Sequence, residues 1–153
     1  MPTTSARLAR LQITLPTVAA PVAAYVPAVR TGNQVWTSGQ LPFVDGQLAA
    51  TGKVDDDVTP EEATRLARTA ALNALAAVDD LVGIDNVTRV LKIVGFVASS
   101  DGFTGQPAVV NGASNLMGEV FGEAGAHVRS AVGVSELPLG SPVEIELVVE
   151  VAD

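Results

Sequence analysis

Cysteine is absent from the 153 residues, and histidine occurs once, at His127. The first absence removes disulfides, thiolate nucleophiles and cysteine metal ligands together. It fits a cytoplasmic protein, which is the location expected here. The second removes any multi-histidine metal site within one chain and any triad that needs another imidazole. Charge is scarce too, at 17% of residues against 48% hydrophobic. The nine basic residues are scattered, and the formal net charge is −8. A protein that neutralises phosphates concentrates lysine and arginine on one face. Nucleic acid and anionic membrane surfaces are therefore not expected partners, although a local basic pocket for a small anion stays open. No apolar run approaches the ~18 residues that suggest a membrane span. Arg7 and Arg10 are not followed by the apolar core of a signal peptide.

What is present is apolar sequence with clear periodicity. The length fits one domain with a real core. So apolar a composition suggests an oligomer that buries part of its own surface. The expected division is an N-terminal extension over residues 1–20 and a single domain over 21–153. The extension holds a short amphipathic piece from Ala6 to Leu11, then Pro16, with Pro21 just beyond. A strand follows over Tyr25–Arg30, and its Pro27 argues for a sheet edge. Thr31-Gly32-Asn33 turns the chain into a second strand, Gln34–Ser38, which ends at Gly39. Asp45-Gly46 is a further turn signal before a weak strand near Gln47–Ala50.

Thr59-Pro60-Glu61-Glu62 is a helix start: a capping threonine, proline at the first helical position and glutamate three residues after the cap. Apolar residues then recur at helical spacing from Ala63 to Val82, and Gly83 ends the helix. Val87 to Ser99 has no polar face over its middle, as a strand buried on both sides would. One side should meet the helices and the other a second subunit. A second helix runs from about Gln106 to Gly122, weakened by Gly112 and Gly118. Two strands close the chain, Arg129 to Pro138 and Val143 to Val151, read as a hairpin through a Pro138-Leu139-Gly140 turn. The second alternates, with Val143, Ile145, Leu147, Val149 and Val151 on one face and Glu144, Glu146, Val148 and Glu150 on the other. The order is β-β-β-α-β-α-β-β, a two-layer α+β domain.

Several blocks carry a resemblance. Tyr25-Val26-Pro27-Ala28-Val29, Thr37-Ser38-Gly39-Gln40-Leu41-Pro42, Asn111, Arg129-Ser130-Ala131-Val132-Gly133-Val134, Leu137-Pro138 and Val143-Glu144-Ile145-Glu146 together resemble the reactive intermediate deaminase family, also called RidA or YjgF. The likeness covers about residues 20–151. It implies a chorismate-mutase-like α+β fold and a homotrimer with its sheets at the centre and clefts between subunits. It also implies hydrolysis of 2-aminoacrylate and related 2-imino acids to 2-keto acids and ammonia, with no metal and no cofactor. By the same resemblance Arg129 binds the substrate carboxylate, Glu144 serves the attacking water, and Tyr25, Ser38 and Gly39 line the cleft. Ala131 stands where many members have cysteine. His127-Val128 stands where typical deaminases have Pro-Ala, which marks a side branch.

The chemistry suits these residue types. A guanidinium grips a planar carboxylate with two parallel hydrogen bonds. A carboxylate in a partly dry cleft has its pKa raised toward a useful value and can manage the proton of water. Tyr25 could close the cleft or donate a hydrogen bond. Each residue also has a plainer reading. Arg129 alone reads as a structural ion-pair partner at an interface, Glu144 as a solvated strand residue beside Glu146 and Glu150, and Tyr25 as a packed aromatic. Ser38 reads as a strand-end residue, Asn111 as a helix-to-loop hydrogen bond and His127 as a loop histidine able to tune the pocket. Beside deamination stand two other functions. One is a non-catalytic trimer that binds small carboxylates or acts as a regulator. The other is an endoribonuclease, which the acidic charge disfavours.

Overall fold

The computed structural model describes residues 2–18 and 24–153. Pro21 and the expected boundary between residues 20 and 21 lie outside them. A short helix α1 (Thr4–Arg10) precedes the strands β1 (Ala28–Thr31), β2 (Gln34–Thr37), β3 (Phe43–Val44) and β4 (Gln47–Leu48). Then come α2 (Pro60–Val82), β5 (Val87–Ala98), α3 (Gln106–Phe121), β6 (Val128–Val134) and β7 (Val143–Val151). Five strands form one sheet in the order β1-β2-β7-β5-β6, and β3 pairs only with β4. The two long helices cover one face of the large sheet, which makes the two-layer α+β fold expected from the element order.

Local chemistry explains the helices. The Thr59 hydroxyl accepts from the Glu62 N–H at 3.1 Å, Pro60 opens α2, and Gly83 ends it at φ 82°. A cap of this kind contributes about 1 kcal/mol. The alanine-rich face of α2 is buried from Ala63 to Val78. Of the two glycines that weaken α3 on propensity grounds, Gly112 serves contact instead. A Cβ on Gly112 would sit 2.0 Å from the Thr64 carbonyl oxygen, so α2 and α3 touch almost backbone to backbone. On the sheet side, a Cβ on Gly95 would meet Val110 at 2.5 Å, which lets α3 lie close on β5.

The closing hairpin is not formed. β5 lies between β6 and β7, parallel to β6 and antiparallel to β7. The β5-α3-β6 passage is a crossover unit, because parallel neighbours need a long connection and α3 supplies it. The link from β6 to β7 is therefore not a tight turn. It spans residues 135–142, includes a short 3-10 turn at Pro138–Gly140, and places Leu139 and Gly140 at positive φ. Alternation along β7 is as expected: Val143, Ile145, Leu147, Val149 and Val151 are buried beneath the helices. β5 is central, but its face away from the helices is covered only partly, with Val94 and Phe96 half-buried.

Two smaller expectations shift. β1 begins at Ala28, three residues after Tyr25, because the chain before it bonds crosswise. The Ser38 N–H donates to the Pro27 carbonyl at 2.8 Å and the Ser38 hydroxyl to the Val26 carbonyl at 2.6 Å. β1 is an edge strand, as Pro27 suggested. Asp45 and Gly46, at φ 52° and 78°, make the two-residue turn between β3 and β4. The amphipathic N-terminal piece is α1, which buries Leu8 against the body. The Ser5 N–H and hydroxyl fasten it to the Asp85 carboxylate at 2.7 and 2.6 Å.

Candidate functional site

Arg129 lies on β6 opposite Ile93 of β5, on the helix face. Its guanidinium meets α3. It donates to the Asn111 Oδ1 at 2.8 Å, the Ser114 hydroxyl at 3.2 Å and the Pro107 carbonyl at 3.1 Å. All three acceptors are neutral, and among the described residues no carboxylate pairs with it. A cation held in place without a counter-charge attracts an anion. β6 is also an edge strand, so one side of its backbone has no neighbouring strand. His127, two residues earlier, bonds to the Ser114 hydroxyl at 2.8 Å and to the Gly125 carbonyl at 2.6 Å.

Glu144 lies on β7 opposite Phe96, on the face away from the helices. Gly39 passes directly against it. A Cβ on Gly39 would come 2.4 Å from Glu144 Oε2. The backbone pair Gln40–Ile145, at 2.8 and 3.0 Å, fixes this approach. Burial, and secondarily the negative charge of Glu146, push the Glu144 carboxyl above its usual value. Ser38 and the segment carrying Tyr25 adjoin Gly39. The Ser38 hydroxyl donates to the Val26 carbonyl, and Tyr25 is exposed.

One chain therefore holds the candidate residues in two groups on opposite faces of its sheet. Arg129, Asn111, His127 and Ala131 are on the helix side at the β6 edge. Glu144 and Gly39 meet at the open face by the end of β2, with Ser38 next to Gly39 and Tyr25 on the segment bonded to Ser38. The open face is mixed: Lys92, Glu146 and Glu150 share it with an apolar patch in which Trp36 pairs with Val29 and Val148, and Phe96 with Val132. Trp36 is 49% exposed and Val29 52%.

The family described as "YjgF/chorismate_mutase-like, putative endoribonuclease" matches residues 5–151. The chain belongs to the RidA/YjgF family. Its relatives include "Protein TCP17" of Trypanosoma cruzi, 45% identical over 148 residues, which span 95% of this chain and 92% of that protein. A "2-iminobutanoate/2-iminopropanoate deaminase" of Dermatophagoides farinae is 31% identical over 138 residues, covering 90% and 93%. Among solved structures, a "putative endoribonuclease" from Shewanella oneidensis MR-1 superposes with a TM-score of 0.94 at 32% identity, covering 98% of this chain and all of that one.

This RidA/YjgF chain carries one site neighbour that the sequence reading passed over. Ser114 joins Arg129 to His127. Its signal was present: Pro107, Asn111 and Ser114 fall at i, i+4 and i+7 of α3, which puts them on one stripe. Among the described residues, no group of three or more His, Asp or Glu side chains is arranged as a metal ligand set. No helix among them is long and apolar enough to cross a membrane.

Proposed function

We propose that this RidA/YjgF protein hydrolyses reactive 2-imino and enamine acids, such as 2-aminoacrylate, to 2-keto acids and ammonia. The reaction takes place in clefts between the subunits of a homotrimer. The observation that carries this reading is the Arg129 guanidinium, fixed by three neutral oxygens and left without a carboxylate. The mite relative named as an imine deaminase supports it.

Arg129 takes the substrate carboxylate and so fixes the adjoining imine carbon. Glu144, raised by burial, accepts a proton from water as the water oxygen bonds to that carbon. The resulting carbinolamine breaks its C–N bond. The nitrogen takes the water's proton back from Glu144 and a second proton from the hydroxyl, and it leaves as ammonia as that hydroxyl becomes the carbonyl; an enamine acid enters this sequence as its imine tautomer. Backbone groups at Ala131 and Gly39, with Ser38, Asn111 and Tyr25, shape the cleft. Positioning does most of the work, because imines hydrolyse readily.

The separation of the two groups supports assembly. Arg129 and Glu144 cannot both reach one small molecule from opposite faces of the same sheet. A neighbour in a closed ring would bring its β6 edge to the open face and cover the apolar surface around Trp36. The net charge of −8 gives no support to an RNA-cleaving reading.

The test is a coupled assay in which a dehydratase generates 2-aminoacrylate from serine and semicarbazide traps what survives. Wild type should lower the trapped product; Arg129→Ala and Glu144→Gln should not. Mixing the two inactive variants after dissociation should restore about a quarter of the clefts, because each then draws its arginine and glutamate from different chains. If wild type binds small carboxylates yet consumes none, the protein is a carboxylate-binding trimer instead.

A further inference from the structure

We infer that Ser114 and His127 are positioning residues: a directional hydrogen-bond relay from the Gly125 carbonyl sets the Arg129 guanidinium for its carboxylate. This rests on the reading of Arg129 as the substrate anchor and adds what holds it.

The direction of the relay follows from donor and acceptor chemistry. The Gly125 carbonyl can only accept, so the contact at 2.6 Å places a proton on His127 Nδ1. In the neutral ring Nε2 is then a lone pair. The Ser114 hydroxyl, 2.8 Å away, must donate to it. With its proton committed, the Ser114 oxygen offers lone pairs to Arg129, whose Nη1 lies at 3.2 Å. Without the imidazole, the hydroxyl is free to rotate its proton toward the guanidinium. Its dipole then opposes the arginine.

Both ends of the relay are clamped by close packing. A Cβ on Gly125 would come 2.2 Å from the Met117 carbonyl oxygen, so that turn sits tightly on α3. Gly112 holds α3 against α2 just before Ser114. The imidazole is therefore bracketed between two fixed pieces of backbone. Asn111 takes the other Nη1 hydrogen and the Pro107 carbonyl one on Nη2, so the relay fixes one corner of a fork held in three places and leaves the Nε–H and the second Nη2–H for a carboxylate.

The solitary histidine makes the test direct. In the full-length assembly labelled with 15N-histidine, one ring gives all the imidazole signals. At pH 8 they should report the Nδ1–H tautomer. Binding of 2-oxobutanoate, the keto product analogue, is then measured for Ser114→Ala, His127→Ala, the double variant, His127→Gln and Arg129→Ala. Each single alanine variant should weaken binding roughly tenfold, the lower range for a hydrogen bond to a charged group. The double variant should be no weaker than either, and His127→Gln, which keeps an acceptor for Ser114, should recover most of the loss. Circular dichroism and gel filtration check fold and association.

An Nε2–H tautomer, or single effects that multiply in the double variant, would overturn the relay. If Arg129→Ala abolishes binding while Ser114→Ala and His127→Ala bind normally, the anchor stands and the relay is wrong. If Arg129→Ala itself binds like wild type, the anchor reading fails and the relay loses its function with it.

Discussion

Replacing Gly39 by alanine should separate the Glu144 carboxylate from its task while leaving the fold intact. The added Cβ would lie 2.4 Å from Glu144 Oε2, 2.8 Å from Cδ and 3.1 Å from Cγ. Ordinary contact starts near 3.4 Å, so the carboxylate must withdraw by about 1 Å. A displacement of that size at a reacting group costs about 100-fold in rate. The backbone at Gly39 is not left-handed, so alanine fits there, and by restricting the unfolded chain it contributes about 0.4–1 kcal/mol of stability. The moved side chain is the free end of a glutamate, which costs little to shift. The expected result is a kcat near one hundredth of wild type with a urea midpoint that is unchanged or slightly raised. Gly118→Ala is the control: nothing lies within 4 Å of its Cβ, so it should keep full activity and gain about 0.5–1 kcal/mol as a helix-interior glycine removed. A Gly39→Ala protein that folds and turns over at the wild-type rate would refute the placement of Glu144 in the reaction.

Three further outcomes follow from the same contacts. Because burial raises the Glu144 pKa, its ionised form is the less favoured one in the fold. Its contribution to stability is therefore greatest below the unfolded value and declines as pH rises through the folded value. Glu144→Gln should thus stabilise the protein at pH 8 more than at pH 4, and wild-type activity should fall on acidification at a pH above the ordinary glutamate range. Equal stabilisation at both pH values would contradict this. Gly112→Ala drives a Cβ to 2.0 Å from a backbone oxygen, which cannot step aside; overpacking of this kind costs about 1–3 kcal/mol and should appear in a denaturant titration. Asp85 is held below its usual value, chiefly by the Ser5 hydroxyl and then by the Ser5 N–H. That contribution is present above the unfolded carboxylate value and is lost as pH falls through the lowered one. Protection of α1 against hydrogen exchange, relative to the intrinsic rate at each pH, should therefore fall on strong acidification, and in Ser5→Ala it should already be low at neutral pH.

The sequence showed faces well and neighbours poorly. Alternation along Val143–Val151 assigned every residue to its correct side, because a strand has a period of two whatever lies beside it. It could not show that β5 inserts between β6 and β7. Two strands joined by few residues look like a hairpin whether or not a third lies between them. That mistake hid the main fact about the site. Arg129 is paired with Ile93 and Glu144 with Phe96, positions of opposite parity on β5, so the two side chains leave the sheet on opposite sides. The helix start at Thr59 was legible because its whole signal is local. Gly112 was misjudged for the opposite reason: its value lies in Thr64, far away in sequence. Ser114 was overlooked although its stripe with Asn111 was visible, since a lone serine in an apolar helix usually means nothing.

The position of β7 in the sheet bears on how the chain acquires its structure. β7 alone joins the β1–β2 pair to the β5–β6 pair. Until it is in place, those pairs share no strand contact and meet through the packing of α2 on α3. A chain emerging from the ribosome would therefore leave its N-terminal hairpin and its crossover unit without a shared strand until the final one arrived. Non-local closure of this kind is slow and leaves edges open to wrong partners. Loss of the last dozen residues would do more than shorten the sheet. It would divide it.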